Sequence, residues 1–150
     1  MQRAIELAIK NVESRRGGPF GAVVVRNGDI VAEGANSVTA MNDPTAHAEM
    51  VAIRLACTNL GVFELCDCEI YCSCEPCPMC LGAIYWARPA RVYFAATAAD
   101  ASKAGFDDSL IYNEICQPHA SRKIPMMQMM GAEALEAFHA WERLPNKVVY

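Results

Sequence analysis

The sequence lacks any apolar run long enough to span a bilayer, and it lacks low-complexity tracts. Residues 1–6 include the acidic Glu6 and have the spacing of an amphipathic helix, so they do not resemble a secretory signal. A chain of 150 residues is long enough to bury a sizeable core. We therefore predict one globular domain, residues 1–150, that is cytoplasmic and binds no membrane.

Positive charge is also scarce. Thirteen Lys and Arg residues stand against seventeen Asp and Glu residues, which gives a net charge of −4, and no basic stripe is present. Proteins that bind nucleic acid need clustered Lys and Arg to neutralise the phosphate backbone. The charge balance therefore predicts a small, free substrate and no nucleic-acid partner.

Cysteine, in contrast, is plentiful, with eight residues. A disulfide scaffold would suit an exported protein, and nothing in the sequence indicates export. Cys77 and Cys80 have the C-x-x-C spacing of metal ligands. The single-residue spacings within 66–74 suit alternating strand positions better than a second zinc-binding turn. We predict that the other six cysteines are reduced, small apolar side chains: Cys57, Cys66, Cys68, Cys72, Cys74 and Cys116.

Hydrophobic periodicity and turn residues predict strands that alternate with helices. The predicted strands are 20–25, 30–33, 69–74, 91–95 and 125–130. The predicted helices are a first helix ending before Gly17, then 44–57, 79–86, 99–105, 108–115 and 133–143. Such alternation is typical of α/β proteins in which helices cover both faces of a parallel or mixed sheet.

Two short segments carry the residues of a metal site. Cys77 and Cys80 can close on one ion, and His47 is the obvious third ligand. Three protein ligands leave the fourth position of a tetrahedral Zn²⁺ to water, as in catalytic rather than structural sites. Glu49 follows the histidine by two residues and can move protons without being a ligand. This H-x-E…P-C-x-x-C pattern is typical of zinc-dependent nucleobase deaminases, and it predicts one Zn²⁺ per chain.

The predicted elements place His47 and Cys77 at the N-terminal ends of two neighbouring helices. Backbone N–H groups and the helix dipole favour negative charge at such ends, which lowers the pKa of a thiol. Both helices follow strands or strand-adjacent loops. The site is therefore expected beyond the carboxyl ends of the strands.

Residues 43–49 and 73–83 resemble the cytidine deaminase-like superfamily, and residues 17–22, 85–89 and 105–109 narrow the resemblance to the small bacterial guanine deaminases. The resemblance extends over essentially the whole chain. It implies an α/β fold, a three-layer α/β/α sandwich with a five-stranded mixed sheet. It also implies hydrolysis of guanine to xanthine and ammonia by a zinc-bound hydroxide, and a homodimer that can exchange its C-terminal segments.

The same resemblance assigns roles to individual residues. Zinc would be held by His47, Cys77 and Cys80, and Glu49 would be the proton shuttle. The remaining implied roles are base binding by Asn36, a backbone contact from Ala48, a pocket wall at Phe20, assistance to the leaving amino group by Asp108, and closure of the site by Tyr150. Without the resemblance, Asn36 and Asp108 are most simply turn or capping residues. Cys72 departs from the family, because a threonine-like residue is expected there.

Other functions remain open from the sequence alone. A transfer-RNA adenosine deaminase has very similar H-A-E and P-C-x-x-C segments, although it should carry a basic surface. Guanosine or cytosine deamination is a further alternative, because pocket size cannot be derived from one sequence. Outside enzymes, the same ligands could belong to a structural zinc-binding module.

Overall fold

Four strands form a single sheet in the computed structural model, which describes residues 1–150. They are β1 (Gly21–Arg26), β2 (Asp29–Ala35), β3 (Cys68–Cys74) and β4 (Arg91–Ala96), in the order β2-β1-β3-β4. Strand β1 is antiparallel to β2 and to β3, whereas β3 and β4 are parallel. The sheet is therefore mixed, and the predicted α/β class is confirmed.

Seven α-helices accompany the sheet. They are α1 (Gln2–Glu13), α2 (Val38–Met41), α3 (Ala48–Leu60), α4 (Pro78–Ala87), α5 (Ala98–Lys103), α6 (Ser109–Ile115) and α7 (Gly131–Arg143). Residues 34–43, between the predicted strand 30–33 and the predicted helix 44–57, contain the end of β2 and the short helix α2. None of these helices combines the length and the apolar character that crossing a membrane requires.

The prediction of a fifth strand at 125–130 is wrong, since the sheet has four strands. A strand is stable only when its backbone groups pair with a neighbouring strand. Residues Ser109–Tyr150 form a compact unit of their own that contains two α-helices, one short 3-10 helix and no strand. Pro125 also lacks an N–H group, and Met130 has a left-handed backbone with φ of 52°.

The first compact unit, Met1–Asp108, contains the whole sheet and the buried core. One face of the sheet packs against α3 and α4 through apolar side chains such as Val24, Ile70 and Ile84. Position 21 of β1 points the other way and lies against the backbone of α1. Helices therefore cover both faces of the sheet, as the alternating pattern predicts.

Gly34 in β2 sets how closely α3 approaches the sheet. A Cβ atom at this position would lie 2.2 Å from the Ala48 carbonyl oxygen and 2.7 Å from the Ala52 nitrogen. A side chain of any size would push the helix away. Glycine thus allows the first turn of α3, which carries two of the predicted site residues, to lie directly on the strand.

Candidate active site

The N-terminus of α3 positions His47 and Glu49. Helix α3 begins at Ala48 and not at Pro44, because the Asp43 carboxylate closes a turn by accepting hydrogen bonds from the Thr45 backbone and hydroxyl at 2.8 and 2.7 Å. His47 is the N-cap residue with extended backbone angles. Glu49 lies in the first turn of the helix.

The N-terminus of α4 positions the two cysteines. Cys77 is its N-cap, and Pro78 occupies the first helical position, where the missing N–H costs nothing. Cys80 follows one turn later, so both sulfur atoms face the same side. The segment comes directly after the end of β3 at Cys74, so the site lies beyond the carboxyl end of that strand, as expected.

The three predicted ligands come together. The Nδ1 atom of His47 lies 3.5 Å from the Sγ atoms of both Cys77 and Cys80, and the three ligand atoms all lie within 4.8 Å of one another. With Zn–S bonds of about 2.3 Å and a Zn–N bond of about 2.0 Å, tetrahedral geometry separates sulfur from nitrogen by about 3.5 Å. The spacing and chemistry of this group therefore fit one zinc ion.

The cysteine pair carries charge before any cation binds. A hydrogen bond with Cys80, together with His47, lowers the pKa of Cys77 to about 4, so Cys77 is a thiolate at neutral pH. Holding the shared proton raises the pKa of Cys80, which is also buried. A divalent cation would release that second proton, so metal binding should strengthen as the pH rises.

Glu49 lies beside this group without belonging to it. Its Oε2 atom is 3.4 Å from the Cys80 Sγ atom, and its side chain is only 6% exposed. Burial raises the pKa of the carboxyl. A carboxyl group with a raised pKa holds a proton more readily than an exposed one and can still return it, which is the property a general acid–base catalyst needs.

Cys72, the departure from the family pattern, lies in β3 near Glu49. It is fully buried in the apolar core, and burial, together with the nearby Glu49 carboxylate, raises the pKa of its thiol. The thiol is therefore neutral and packs as a small apolar group. This agrees with the predicted behaviour of the cysteines that are not metal ligands.

Asn36 and Phe20, predicted to bind and flank the base, lie next to each other. The Asn36 N–H donates to the Phe20 carbonyl at 3.1 Å, and Asn36 is 7% exposed. The Phe20 ring packs edge-to-face on Phe106, with ring centroids 4.9 Å apart and an interplanar angle of 87°. Ala48 is completely buried. Sequence reasoning did not single out Phe106, although it lies in one of the segments that carry the family resemblance.

Asp108 lies near enough to Cys77 for the charge of that residue to act on its carboxyl. The pKa of the Asp108 carboxyl is raised, and partial burial is the largest cause. The negative charges of Cys77 and Glu75 raise this pKa further. Tyr150 belongs to the second unit, Ser109–Tyr150, and its role remains a prediction.

Asn11 is a polar residue of this region that the sequence reasoning missed. It is buried on α1 in line with Ala4 and Ala8, and its amide bonds to the carbonyl groups of Gly18 and Asn36. A polar residue in a stripe of buried alanines was the available signal. The apolar spacing of Ile5, Ile9 and Val12 indicates a different buried face for α1, yet these three side chains are exposed.

Comparison with known proteins places the site in a family. The family model for the cytidine and deoxycytidylate deaminase zinc-binding region matches residues 1–96. The chain is 57% identical over 150 residues to guanine deaminase of Bacillus subtilis strain 168, covering 100% of this chain and 96% of that protein. It is 34% identical over 132 residues to a tRNA-specific adenosine deaminase of Aquifex aeolicus, covering 87% and 85%.

The fold is shared as well. An X-ray structure of guanine deaminase from Bacillus subtilis superposes with a TM-score of 0.97 at 57% identity, covering 99% of this chain and 95% of that one. The matching family region contains all three predicted ligands and Glu49.

Proposed function

The chain belongs to the cytidine and deoxycytidylate deaminase zinc-binding family, and from that premise we propose that it is a guanine deaminase, which hydrolyses guanine to xanthine and ammonia. The observation that carries the proposal is the convergence of His47, Cys77 and Cys80 beside the buried carboxyl of Glu49. Identity of 57% to a guanine deaminase over the full chain supports the choice of substrate.

Three side chains would hold the zinc ion: His47, Cys77 and Cys80. When bound, zinc supplies a nucleophile at neutral pH, because a water ligand's pKa falls from 15.7 to about 7. Glu49 takes the proton of the attacking water and delivers it to the ring nitrogen next to the reacting carbon of guanine. Protonation makes that carbon more electrophilic, and the water oxygen bonds to it. Glu49 then takes the remaining proton of that oxygen and passes it to the exocyclic amine, so the C–N bond breaks and ammonia leaves.

Other residues of the chain would hold the base. Asn36 is buried, and its N–H donates to the Phe20 carbonyl. Phe20 would form a wall of the pocket, and the Ala48 backbone would contact the base at the start of α3. Asp108, whose carboxyl has a raised pKa, would bond to the departing amino group. A protonated or hydrogen-bonded carboxyl at that point assists departure by stabilising the nitrogen as its charge changes.

We further propose a cytoplasmic homodimer active in purine metabolism, with exchanged C-terminal segments and residues 1–150 acting as one deaminase domain. In the second unit, α7 has no buried residue and exposes Phe138 and Trp141. In the first unit, Trp86 of α4 and Phe94 of β4 are exposed as well. Apolar faces of this kind in both units favour burial by a second copy. Exchange would bring Tyr150 over the partner's site.

The second candidate is adenosine deamination in transfer RNA, which the 34% identity to a tRNA-specific adenosine deaminase favours. The net charge of −4 argues against it, since RNA binding requires clustered positive charge. Guanosine and cytosine are the remaining candidate substrates in the same reaction class.

The proposal is tested by measuring ammonia release from zinc-loaded protein with guanine, guanosine, cytosine and adenine, and inosine formation in a tRNA anticodon stem–loop. We expect guanine to give the highest kcat/KM. Comparable activity on guanosine would disprove the preference for the free base. Inosine formation without guanine turnover would establish the second candidate instead. If no substrate gave a product, the chain would be assigned to the remaining alternative, a structural zinc-binding module.

A further inference from the structure

Asn11 is a buried polar residue that the proposed reaction does not use directly. It lies on the inner side of α1 and is 6% exposed. A buried amide is costly unless its hydrogen-bonding groups are satisfied, so such residues commonly organise the backbone around them.

The Asn11 amide joins two separate segments of the chain. Its Nδ2 atom donates to the Gly18 carbonyl and to the Asn36 carbonyl, in both cases at 2.8 Å. These acceptors are 7 and 25 residues away in the sequence. An amide nitrogen has two hydrogen atoms, so both are used in holding these carbonyls.

The two segments also contact each other directly. The Gly18 N–H donates to the Asn36 side-chain Oδ1 at 3.3 Å, and the Asn36 N–H donates to the Phe20 carbonyl at 3.1 Å. A Cβ atom at Gly17 would lie 2.1 Å from the Asn36 carbonyl oxygen and 2.9 Å from the Asn11 Nδ2. Only glycine can occupy that position without displacing the Asn36 backbone.

This network also orients the Asn36 side chain. Because Oδ1 accepts the Gly18 N–H, the amide can offer its NH₂ group as a donor to a ring nitrogen or carbonyl oxygen of a purine base. A displacement of the Asn36 or Gly18 backbone would turn that donor away.

We propose that Asn11 is a positioning residue for substrate binding: it fixes the Asn36 amide and the segment leading to Phe20 without touching the base. The role rests on the proposed function, in which Asn36 binds guanine. The metal ligands and Glu49 are carried by other elements, α3 and α4, so loss of the Asn11 bonds should weaken base binding more than it slows the chemical step.

The test compares Asn11→Asp and Asn11→Leu, which remove both donors at nearly constant size, with Asn59→Leu as a matched control. Asn59 is exposed, lies away from the site, and donates one hydrogen bond of 2.8 Å from its side-chain amide to the Val31 carbonyl. Thermal unfolding and zinc content are measured first, then kcat and KM for guanine. Binding of hypoxanthine, which lacks the exocyclic amine and cannot be deaminated, is measured by competition.

We expect the Asn11 variants to raise KM and the hypoxanthine inhibition constant roughly tenfold or more, with kcat changed by no more than about threefold. Gly17→Ala, whose Cβ would clash with both the Asn36 carbonyl and the Asn11 amide, should produce the same pattern. It provides the test if the Asn11 variants do not fold.

The positioning role would be overturned if the Asn11 variants fold, bind zinc and have the same KM for guanine as Asn59→Leu. That result would leave the guanine deaminase assignment intact. The positioning role would also be overturned if kcat fell and hypoxanthine binding did not change. A wild-type enzyme that releases no ammonia from guanine would overturn the proposed function, and this role would fall with it.

Discussion

Replacing Glu49 with glutamine is the most direct test of the proton-transfer chemistry. Gln has nearly the same shape and can still accept a hydrogen bond from Cys80, whose Sγ atom lies 3.4 Å from the Glu49 carboxylate. It also removes a carboxyl group whose ionised form is destabilised by burial, since the side chain is only 6% exposed. The fold and the metal ligands should therefore survive the change.

The expected loss of activity follows from what the carboxyl does. Positioned general acid–base catalysis contributes roughly 10²–10⁴ in rate. At about 1.4 kcal/mol per tenfold change, the barrier should rise by about 3–5 kcal/mol. Because the amide cannot exchange protons at any step, we expect the upper part of this range. The effect should fall on kcat, with a smaller change in KM.

The assay is ammonia release from guanine under saturating conditions, with zinc content measured on the same samples. Glu69→Gln is the control, because Glu69 is a half-buried carboxylate of β3 that accepts a bond from the Tyr71 hydroxyl at 2.7 Å and lies outside the site. A zinc-loaded Glu49→Gln enzyme that kept more than about a tenth of the wild-type kcat would refute the assigned role, since that loss is below any general acid–base contribution.

Three further predictions concern the metal, the helix position and acid stability. Chelation of zinc should abolish activity and lower the unfolding temperature, and added Zn²⁺ should restore both. The Cys80→Ser variant should bind zinc more weakly, and an unchanged zinc affinity would exclude Cys80 as a ligand. Gly34→Ala should cost about 1–3 kcal/mol in urea unfolding, because its Cβ would meet the Ala48 carbonyl at 2.2 Å; an unchanged midpoint would show that α3 can shift freely. Glu33 accepts two hydrogen bonds from Arg3, at 2.6 and 2.7 Å, and these bonds lower the pKa of Glu33 in the folded protein. The pair therefore stabilises the fold at pH values above the ordinary pKa of glutamate. This stabilisation is lost as the pH falls through the lowered pKa. Glu33→Gln should therefore cost about 1 kcal/mol or less at pH 7 and progressively less as the pH falls through the lowered pKa, and a cost that does not change with pH would contradict the linkage.

Features determined by local spacing could be predicted from the sequence. The C-x-x-C pair at the start of α4 and the histidine two residues before Glu49 predicted three ligands that the fold does bring together. Strand β3 was predicted to within one residue. Its alternating, β-prone residues mark the strand itself, and the prolines that follow mark its C-terminal end.

Features determined by neighbours in space could not be predicted in the same way. The segment 125–130 has the composition of a strand, yet nothing in its own sequence reveals whether another strand is available to pair with it. The start of α3 was misplaced by four residues because the turn at Asp43 and Thr45 competes with helix formation. Asn11 was missed because its partners are 7 and 25 residues away.

The division of the ligands between two helices affects how the protein reaches its native state. His47 precedes Cys77 by 30 residues. In the unfolded chain, only the two cysteines are therefore close enough together to bind one metal ion appreciably. The complete set exists after α3 and α4 have docked, and a bound ion then acts as a cross-link between them. Retention of zinc during dialysis should therefore be stronger once α3 and α4 have docked than in the unfolded chain.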